Sequence, residues 1–463
     1  NTTKRRRCSV FWIIGHRMKK EQGIVVFDIG KTHKKCFVFS LEFQLLFEKS
    51  VKVDPIPDED GFLSDDLHFT LDWMEGLLKE LLLAFTVKKV NFSAHGASFV
   101  LIDWYGKLLL PIYNYLKPVS TTIENEFYER YTDLELSSAS PRSGFLNSGF
   151  QLYWLKKTRQ KKFEQVHYAI HLPQFFHYYF TGNAVSEYCS IGCHTSLWNY
   201  TLATYQDWLT QEGISALLPP LCPAEKTWKG TGLLQEISVG VGLHDSSAAL
   251  LPYVKAIQKP FILLSTGTMN VALNPFSKDL LVEEELNQGC LHYMTPQGQP
   301  VKASRFFMGG AHEQLCGLIV SYFKCNSDFF KTLTYEAEVF DQVTPLNGLN
   351  WSIATTDFSL PQTALKKYTS PKEAYYALMK TLLQIQLDAL AHVVGETKIE
   401  RIYLDGGFQK NQVFVKHLSR CFADLEVYRS DFALGAALGA ALTVHPSTFE
   451  EQELHTIYGM ERI

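Results

Sequence analysis

The sequence predicts an α/β protein of two domains, and three observations carry that expectation. The chain has 463 residues, too many for one hydrophobic core and suited to two of roughly 200 each. A strand–polar turn–strand unit opens near residue 23 and recurs after residue 258, each time with helices and short strands following. Hydrophobic residues make up 46% and charged residues 20% of the chain, enough apolar material to fill both cores.

In the first half, a β-rich run at 23–27 meets the turn Asp28-Ile29-Gly30-Lys31-Thr32, and strands follow at 36–40 and 43–53. A helix is expected over 64–85, with Ser64 as its N-cap and Asp65-Asp66 in the first turn. Short strands at 90–93 and 98–103 complete the unit. The second half repeats the grammar with a strand at 261–264, the turn Ser265-Thr266-Gly267-Thr268 and a strand at 270–274. Ser370-Pro371-Lys372-Glu373 supplies an N-cap, a proline at N1 and a glutamate at N3, so a helix should run from there to about 394. A strand at 401–404 ends in Asp405-Gly406-Gly407, followed by a helix at 411–422, a strand at 426–428 and a helix at 432–442. Two halves with one grammar suggest a duplication. The expected division is an extension at 1–17, domains at 18–254 and 255–445, and a tail at 446–463.

Composition narrows the partners. The net charge is −4 and no basic stripe stands out, so nucleic acid is not expected. Nine cysteines, an odd number with no CxxC pair, point to a reducing compartment and hence the cytoplasm. Cys189, Cys193 and His194 lie close together, but without a second ligand pair they read as buried thiols rather than a zinc site. No apolar run reaches the roughly 20 residues of a membrane span. Lys4-Arg5-Arg6-Arg7 and the short apolar patch after it imitate a signal peptide without a cleavage site, and Met18 looks like an ordinary cytosolic start.

Several segments combine groups that suit phosphoryl transfer. In the first turn Gly30 lets backbone amides approach a phosphate, while Lys31 and Thr32 add a charge and a hydroxyl. Asp28 would repel a phosphate unless a cation stood between them, so it reads as a Mg²⁺ partner. An ordinary hairpin turn explains the same residues equally well. Ser265, Thr266 and Thr268 surround Gly267 with hydroxyls, and Gly406-Gly407 permits flat approach of a planar base, with Asn411 in reach of it. Gly435 and Gly439 give a helix face without bulk, suited to packing on the sheet. In Gly242-Leu243-His244-Asp245-Ser246-Ser247-Ala248-Ala249, Asp245 can accept a proton from an attacking hydroxyl; helix capping is the competing reading.

Taken in order, these segments resemble the FGGY-family carbohydrate kinases, from about residue 23 to 441. Phe145-Leu146-Asn147-Ser148-Gly149-Phe150-Gln151-Leu152 is similar to the family's segment ahead of its middle helices. The stretch 173–187, with Phe180-Thr181-Gly182 inside it, resembles its proline-to-"LTG…E" run, and Leu404-Asp405-Gly406-Gly407 with Asn411 resembles its adenosine motif. His244-Asp245-Ser246-Ser247-Ala248 looks like the "HDTAS" of rhamnulokinases and fuculokinases. The run from His95 to Asp103 is similar to their "WGVDFVLLD".

The resemblance implies two RNase H-like domains of the actin–hexokinase–Hsp70 type around a cleft, dividing near residue 255. It implies Asp245 as catalytic base, with His95, Gly96, Ser98 and His244 around the sugar. ATP would be held by Lys31, Thr32, Thr266, Gly267, Thr268, Gly310, Gln314, Gly406, Gly407 and Asn411, with Mg²⁺ bridged to Asp28. Lys31 stands where the family usually has a small residue, His95 where the branch has tryptophan, and Ser98 where it has aspartate. Asn114-Tyr115-Leu116-Lys117 replaces an Asp-Arg-rich run. The expected activity is ATP-dependent phosphorylation of a small ketulose such as L-rhamnulose or L-fuculose. Another pentulose, hexulose or polyol, or a weakly catalytic sugar sensor, are the alternatives. The expected partner is a small sugar, with no membrane and a homodimer left open.

Overall fold

The computed structural model describes residues 20–349, 358–430, 434–447 and 450–463. The expected 1–17 extension therefore lies outside the described residues, as do Phe432 and Ala433 at the head of the last expected helix. In the first half, strands Leu45–Lys52, His33–Phe39, Gln22–Ile29, Thr86–Ala94 and Ser238–Gly240 lie side by side in that order. The first three are mutually antiparallel and the last two join in parallel. The second half repeats this with Pro300–Phe306, Asn270–Asn274, Phe261–Thr266, Arg401–Gly406 and Glu426–Arg429. Order and direction match strand for strand, which is the twice-repeated RNase H-like plan the sequence led us to expect.

Why the central strands are apolar throughout follows from what covers them. Val25 and Phe27 point to one face, against Leu71, Met74 and Leu78 of the helix Leu67–Ala84. Ile24 and Val26 point to the other, against Ala437, Leu438 and Ala441 of the helix Gly435–Val444. A strand buried on both faces loses the apolar–polar alternation of a half-exposed one.

The helix Gly435–Val444 belongs by sequence to the second half, yet it seals the first sheet. Asn91 Nδ2 donates to the Ala440 carbonyl at 2.8 Å, and Lys89 Nζ donates to that of Val444. It also packs on the helix Asp245–Ala256 so closely that a Cβ on Gly439 would fall 1.8 Å from the Ala248 carbonyl oxygen. The small-residue face thus meets a helix as well as the sheet. The expected boundary near residue 255 falls in the last turn of Asp245–Ala256.

Other expectations need correction. The first long helix starts at Leu67, because Asp66 and not Ser64 caps it, accepting from Phe69 N at 2.9 Å. Asp65 is released from the first turn and goes inward. Within the expected 446–463 tail, the helix Glu451–Tyr458 buries Leu454 and Tyr458, and Glu461–Arg462 pairs with Glu426–Arg429. The long helix runs Pro371–Val394 with Ser370 accepting from Glu373 N at 3.2 Å, as its cap residues predict. An edge strand, Cys290–Met294, was not anticipated, and it packs on the short helix Tyr188–Gly192. Among the described residues no helix is long and apolar enough to cross a membrane.

Candidate active site

Two carboxylates stand at strand ends of the first sheet. Asp28 is the penultimate residue of Gln22–Ile29, half-buried and paired across the sheet with Lys35. Asp245 opens the helix Asp245–Ala256, directly after the two-residue strand Leu243–His244 that pairs with the end of Thr86–Ala94. Their charges act on each other. Burial, reinforced by the Asp245 charge and opposed by Lys35, raises the Asp28 carboxyl from 3.8 to about 6. Asp245 Oδ1 accepts from Ser246 N at 2.6 Å and from Ser246 Oγ at 3.3 Å, and its side chain stays 35% exposed. The residue at the N-cap position is His244, and its side chain makes no capping bond.

The structure brings His95, Gly96, Ser98 and His244 together beside Asp245. His244 Nε2 lies 3.5 Å from Asp245 Oδ1, and a Cβ on Gly96 would fall 2.5 Å from the His244 ring. Ser98 Oγ is 3.4 Å from His95 Nδ1. Burial holds the His244 imidazole below its ordinary value despite Asp245, with His95 adding to the effect, so at neutral pH it can both donate to and accept from a hydroxyl. The backbone here is strained: Ala97 has φ 56° and His194 φ 45°, values that non-glycine residues seldom adopt. Gln151 Nε2 holds the first of these turns by donating to the carbonyls of Ala97 and Phe145, both at 2.6 Å.

The largest omission of the sequence reading is Asp65. Its side chain is 8% exposed, receives Lys31 Nζ at 2.6 Å and Lys34 Nζ at 3.4 Å, and lies 3.5 Å from His95 Nε2. Burial would raise this carboxyl, but His95, Lys31 and Lys34 together hold it below the usual carboxylate range. Lys34, itself buried, also donates to the carbonyls of Gly30 and Lys31 at 2.7 and 3.1 Å, pinning the first turn. Lys31, expected to face a phosphate, instead spans from that turn to Asp65 and lies over the Tyr115 ring at 5.0 Å. Asp65→Asn should therefore destabilise the fold by roughly 3–5 kcal/mol, since it strips the counter-charge from a buried ammonium. Urea melts of both proteins check this, and unchanged stability would show the network to be idle.

A second site lies on the other half. A cavity of about 540 Å³ is lined by Gly267, Thr268, Gly309, His312, Gly407 and Asn411, with Phe330 and Phe408 as apolar walls. A Cβ on Gly407 would meet nothing within 4 Å, so that position opens into the cavity. Gly406 serves a different purpose: at φ +82° a Cβ there would sit 1.8 Å from the Thr266 carbonyl oxygen. Burial lowers the His312 imidazole to about 4, which keeps it neutral. Thr266 Oγ1 accepts from Phe408 N at 3.1 Å and donates to the Asp405 carbonyl, so it ties the two turns together. Asn411 accepts from Phe414 N at 3.1 Å as helix cap and donates to Tyr375 Oη at 2.8 Å.

Family comparison identifies the chain. Residues 23–252 match the model of the FGGY family of carbohydrate kinases, N-terminal domain, and residues 258–452 match that of carbohydrate kinase FGGY, C-terminal domain. The chain belongs to the FGGY family of carbohydrate kinases. Among solved structures it is similar to a carbohydrate kinase from Novosphingobium aromaticivorans, with a TM-score of 0.78 at 22% identity over 95% of this chain and 96% of that one. A xylulose kinase from Lactobacillus acidophilus superposes with a TM-score of 0.77 at 15% identity, covering 96% and 93% of the two chains. A gluconate kinase from the same organism gives 0.77 at 15%, covering 96% and 92%.

This FGGY kinase is an ATP-dependent carbohydrate kinase, and its second-half cavity suits a nucleotide. The volume falls in the range of small-molecule sites, and apolar walls with a few convergent polar groups are what a purine needs. Gly309 lines the cavity where Gly310 was expected. Gly310 instead turns inward, donating N–H to the Thr268 carbonyl at 3.2 Å, and a Cβ on it would strike the Phe307 ring. Gln314 accepts from Phe358 N at 2.9 Å and does not line the cavity. Thr32 is exposed at the first turn. No signal in the sequence marked His312 or Phe330, which reach the cavity only through tertiary packing.

Cys193, His194 and His244 also gather, with their potential ligand atoms within 4.8 Å of one another. Burial pushes the Cys193 thiol well up and the His194 imidazole well down, and the Arg305 guanidinium acts on both. The trio differs from the Cys189, Cys193 and His194 that stand close in sequence, because His244 takes the place of Cys189.

Proposed function

We propose that this FGGY kinase phosphorylates a ketulose of the rhamnulose or fuculose type, with Asp245 as the general base. The observation that supports this reading is the convergence of His95, Gly96, Ser98 and His244 on the Asp245 carboxylate. In the reaction the acceptor hydroxyl oxygen bonds to the γ-phosphorus of ATP as the bond to the ADP oxygen breaks, and the hydroxyl proton passes to Asp245. Phosphoryl transfer leaves little covalent work for the protein, so positioning and charge neutralisation dominate. Gly267, Thr268, Gly407 and Asn411 would hold the nucleotide, and Asp28 would hold Mg²⁺. When bound, Mg²⁺ supplies the positive charge that lets phosphate oxygens approach two acidic side chains.

ATP consumption measured across ketuloses, pentuloses, hexuloses and polyols tests the substrate class. Fastest turnover on a deoxy-ketulose supports the proposal, and fastest turnover on xylulose or on glycerol rejects it. The same panel reads the role of His95. A buried hydrogen-bonding group discriminates strongly against sugars lacking its partner, so His95→Ala should reorder the sugars. A uniform loss with the order kept would remove His95 from recognition.

A further inference from the structure

Arg305 is a charged group that the reading above leaves unused. It lies on Pro300–Phe306, whose register pairs Ala303 with Leu291 and Val301 with Tyr293. Val301, Ala303 and Arg305 therefore project from one face, together with Leu291 and Tyr293. That face shares one buried apolar cluster with Cys193 and Leu243 of the first half, and the Tyr293 ring stands 5.8 Å from that of His194 and 5.7 Å from that of His244. Arg305 extends this row to Ser143, donating through Nη2 to Ser143 Oγ at 3.1 Å.

The other nitrogen is the anomaly. Nη1 is shut off from solvent and has no hydrogen-bond partner. Among the described residues no carboxylate pairs with this guanidinium at ion-pair distance; its neighbours Cys193, His194 and Tyr293 are neutral, since burial moves each of them away from its charged form. Tyr293, whose ring stands 5.7 Å from that of His244 beside Asp245, feels both the Arg305 and the Asp245 charge. A guanidinium cannot shed its proton, so leaving one of its nitrogens shut off from solvent and unpaired costs stability. A ligand oxyanion would offset that cost.

We propose that Arg305 is an oxyanion-binding residue of the sugar pocket. The oxyanion is either a carboxylate carried by the acceptor or the phosphoryl group during transfer. The proposal rests on the sugar-kinase reading of the pocket, so its test includes a binding arm that needs no turnover.

Wild type, Arg305→Met and Arg305→Lys are melted with and without D-gluconate or inorganic phosphate. D-Gluconate should raise the melting temperature of wild type and Arg305→Lys and leave Arg305→Met unmoved, and inorganic phosphate, which the nucleotide site also accepts, should raise wild type more than Arg305→Met. Arg305→Gln serves if the methionine variant does not fold. Kinetics then separate the sources. An acceptor carboxylate, which would replace the ketulose of the proposed function by an aldonate, predicts a KM for aldonates raised about 10- to 100-fold in Arg305→Met, with neutral ketoses unchanged. Phosphoryl binding predicts kcat lowered about 10²-fold for every acceptor, with KM little moved. Equal anion shifts in wild type and Arg305→Met, with kinetic parameters also unchanged, overturn the proposal. Failure of all turnover with the anion shifts intact would instead count against the kinase reading alone.

Discussion

Asp245→Asn should lower kcat by roughly 10²–10⁴-fold, the usual contribution of a positioned general base, while the KM for ATP changes little. The amide keeps an oxygen at the position of Oδ1, so the bonds from Ser246 N and Oγ can persist. It cannot take a proton from the acceptor. The helix Asp245–Ala256 should survive because its N-cap position belongs to His244 and because Gly439 locks it by backbone contact at Ala248. The melting temperature should therefore stay close to that of wild type. Sugar affinity should drop modestly, since the amide oxygen can still accept from the hydroxyl. The measurement is single-turnover phosphorylation in a folded, ATP-binding variant. Near-normal turnover there would make Asp245 a structural residue and end the proposed mechanism.

The fold was legible wherever local chemistry and packing agreed. Ser370-Pro371-Lys372-Glu373 announced a helix because cap, proline and glutamate act within one turn. The two strand–turn–strand units were visible because each needs only a hairpin. Cys290–Met294 was missed because its five residues are buried throughout and carry no alternation to read. The start of the first long helix was misjudged for an instructive reason. Ser64, Asp65 and Asp66 are all competent caps, and sequence alone cannot say which will be called inward. Lys31, Lys34 and His95 claim Asp65 from two other strand ends, leaving Asp66 to cap. Long-range charge pairing decided a local question. The same cause explains Lys31, whose position in a phosphate-type turn gave no hint of a carboxylate 34 residues away in sequence. On the nucleotide side the glycines were readable, since each marks a close approach, but which one faces the cavity depended on the Phe307 ring beside Gly310.

Asp28→Asn should stabilise the ligand-free protein at pH 8 and at the same time lower kcat by about 10²–10³-fold. The Asp28 carboxyl has an ordinary value of 3.8 and a folded-state value of about 6, raised first by burial and then by Asp245. A raised acid binds its proton more tightly folded than unfolded. Its contribution to stability is thus most favourable below pH 3.8, declines as pH rises towards 6, and stays at its least favourable level above that. Asparagine carries no such charge, so the stability gap between variant and wild type should open between pH 4 and 6 and remain constant to pH 8. The activity should run the other way, because the proposed Mg²⁺ site needs the carboxylate ionised. In wild type, Mg²⁺ should raise the melting temperature at pH 8 and release a proton when it binds near pH 5; neither effect should appear in the variant. Normal turnover in Asp28→Asn would dismiss the metal role, and a stability gap that closes as pH rises would dismiss the electrostatic account. A carboxylate that repels its neighbour until a cation arrives gives up stability for function, which is why removing the charge should raise the first and lower the second.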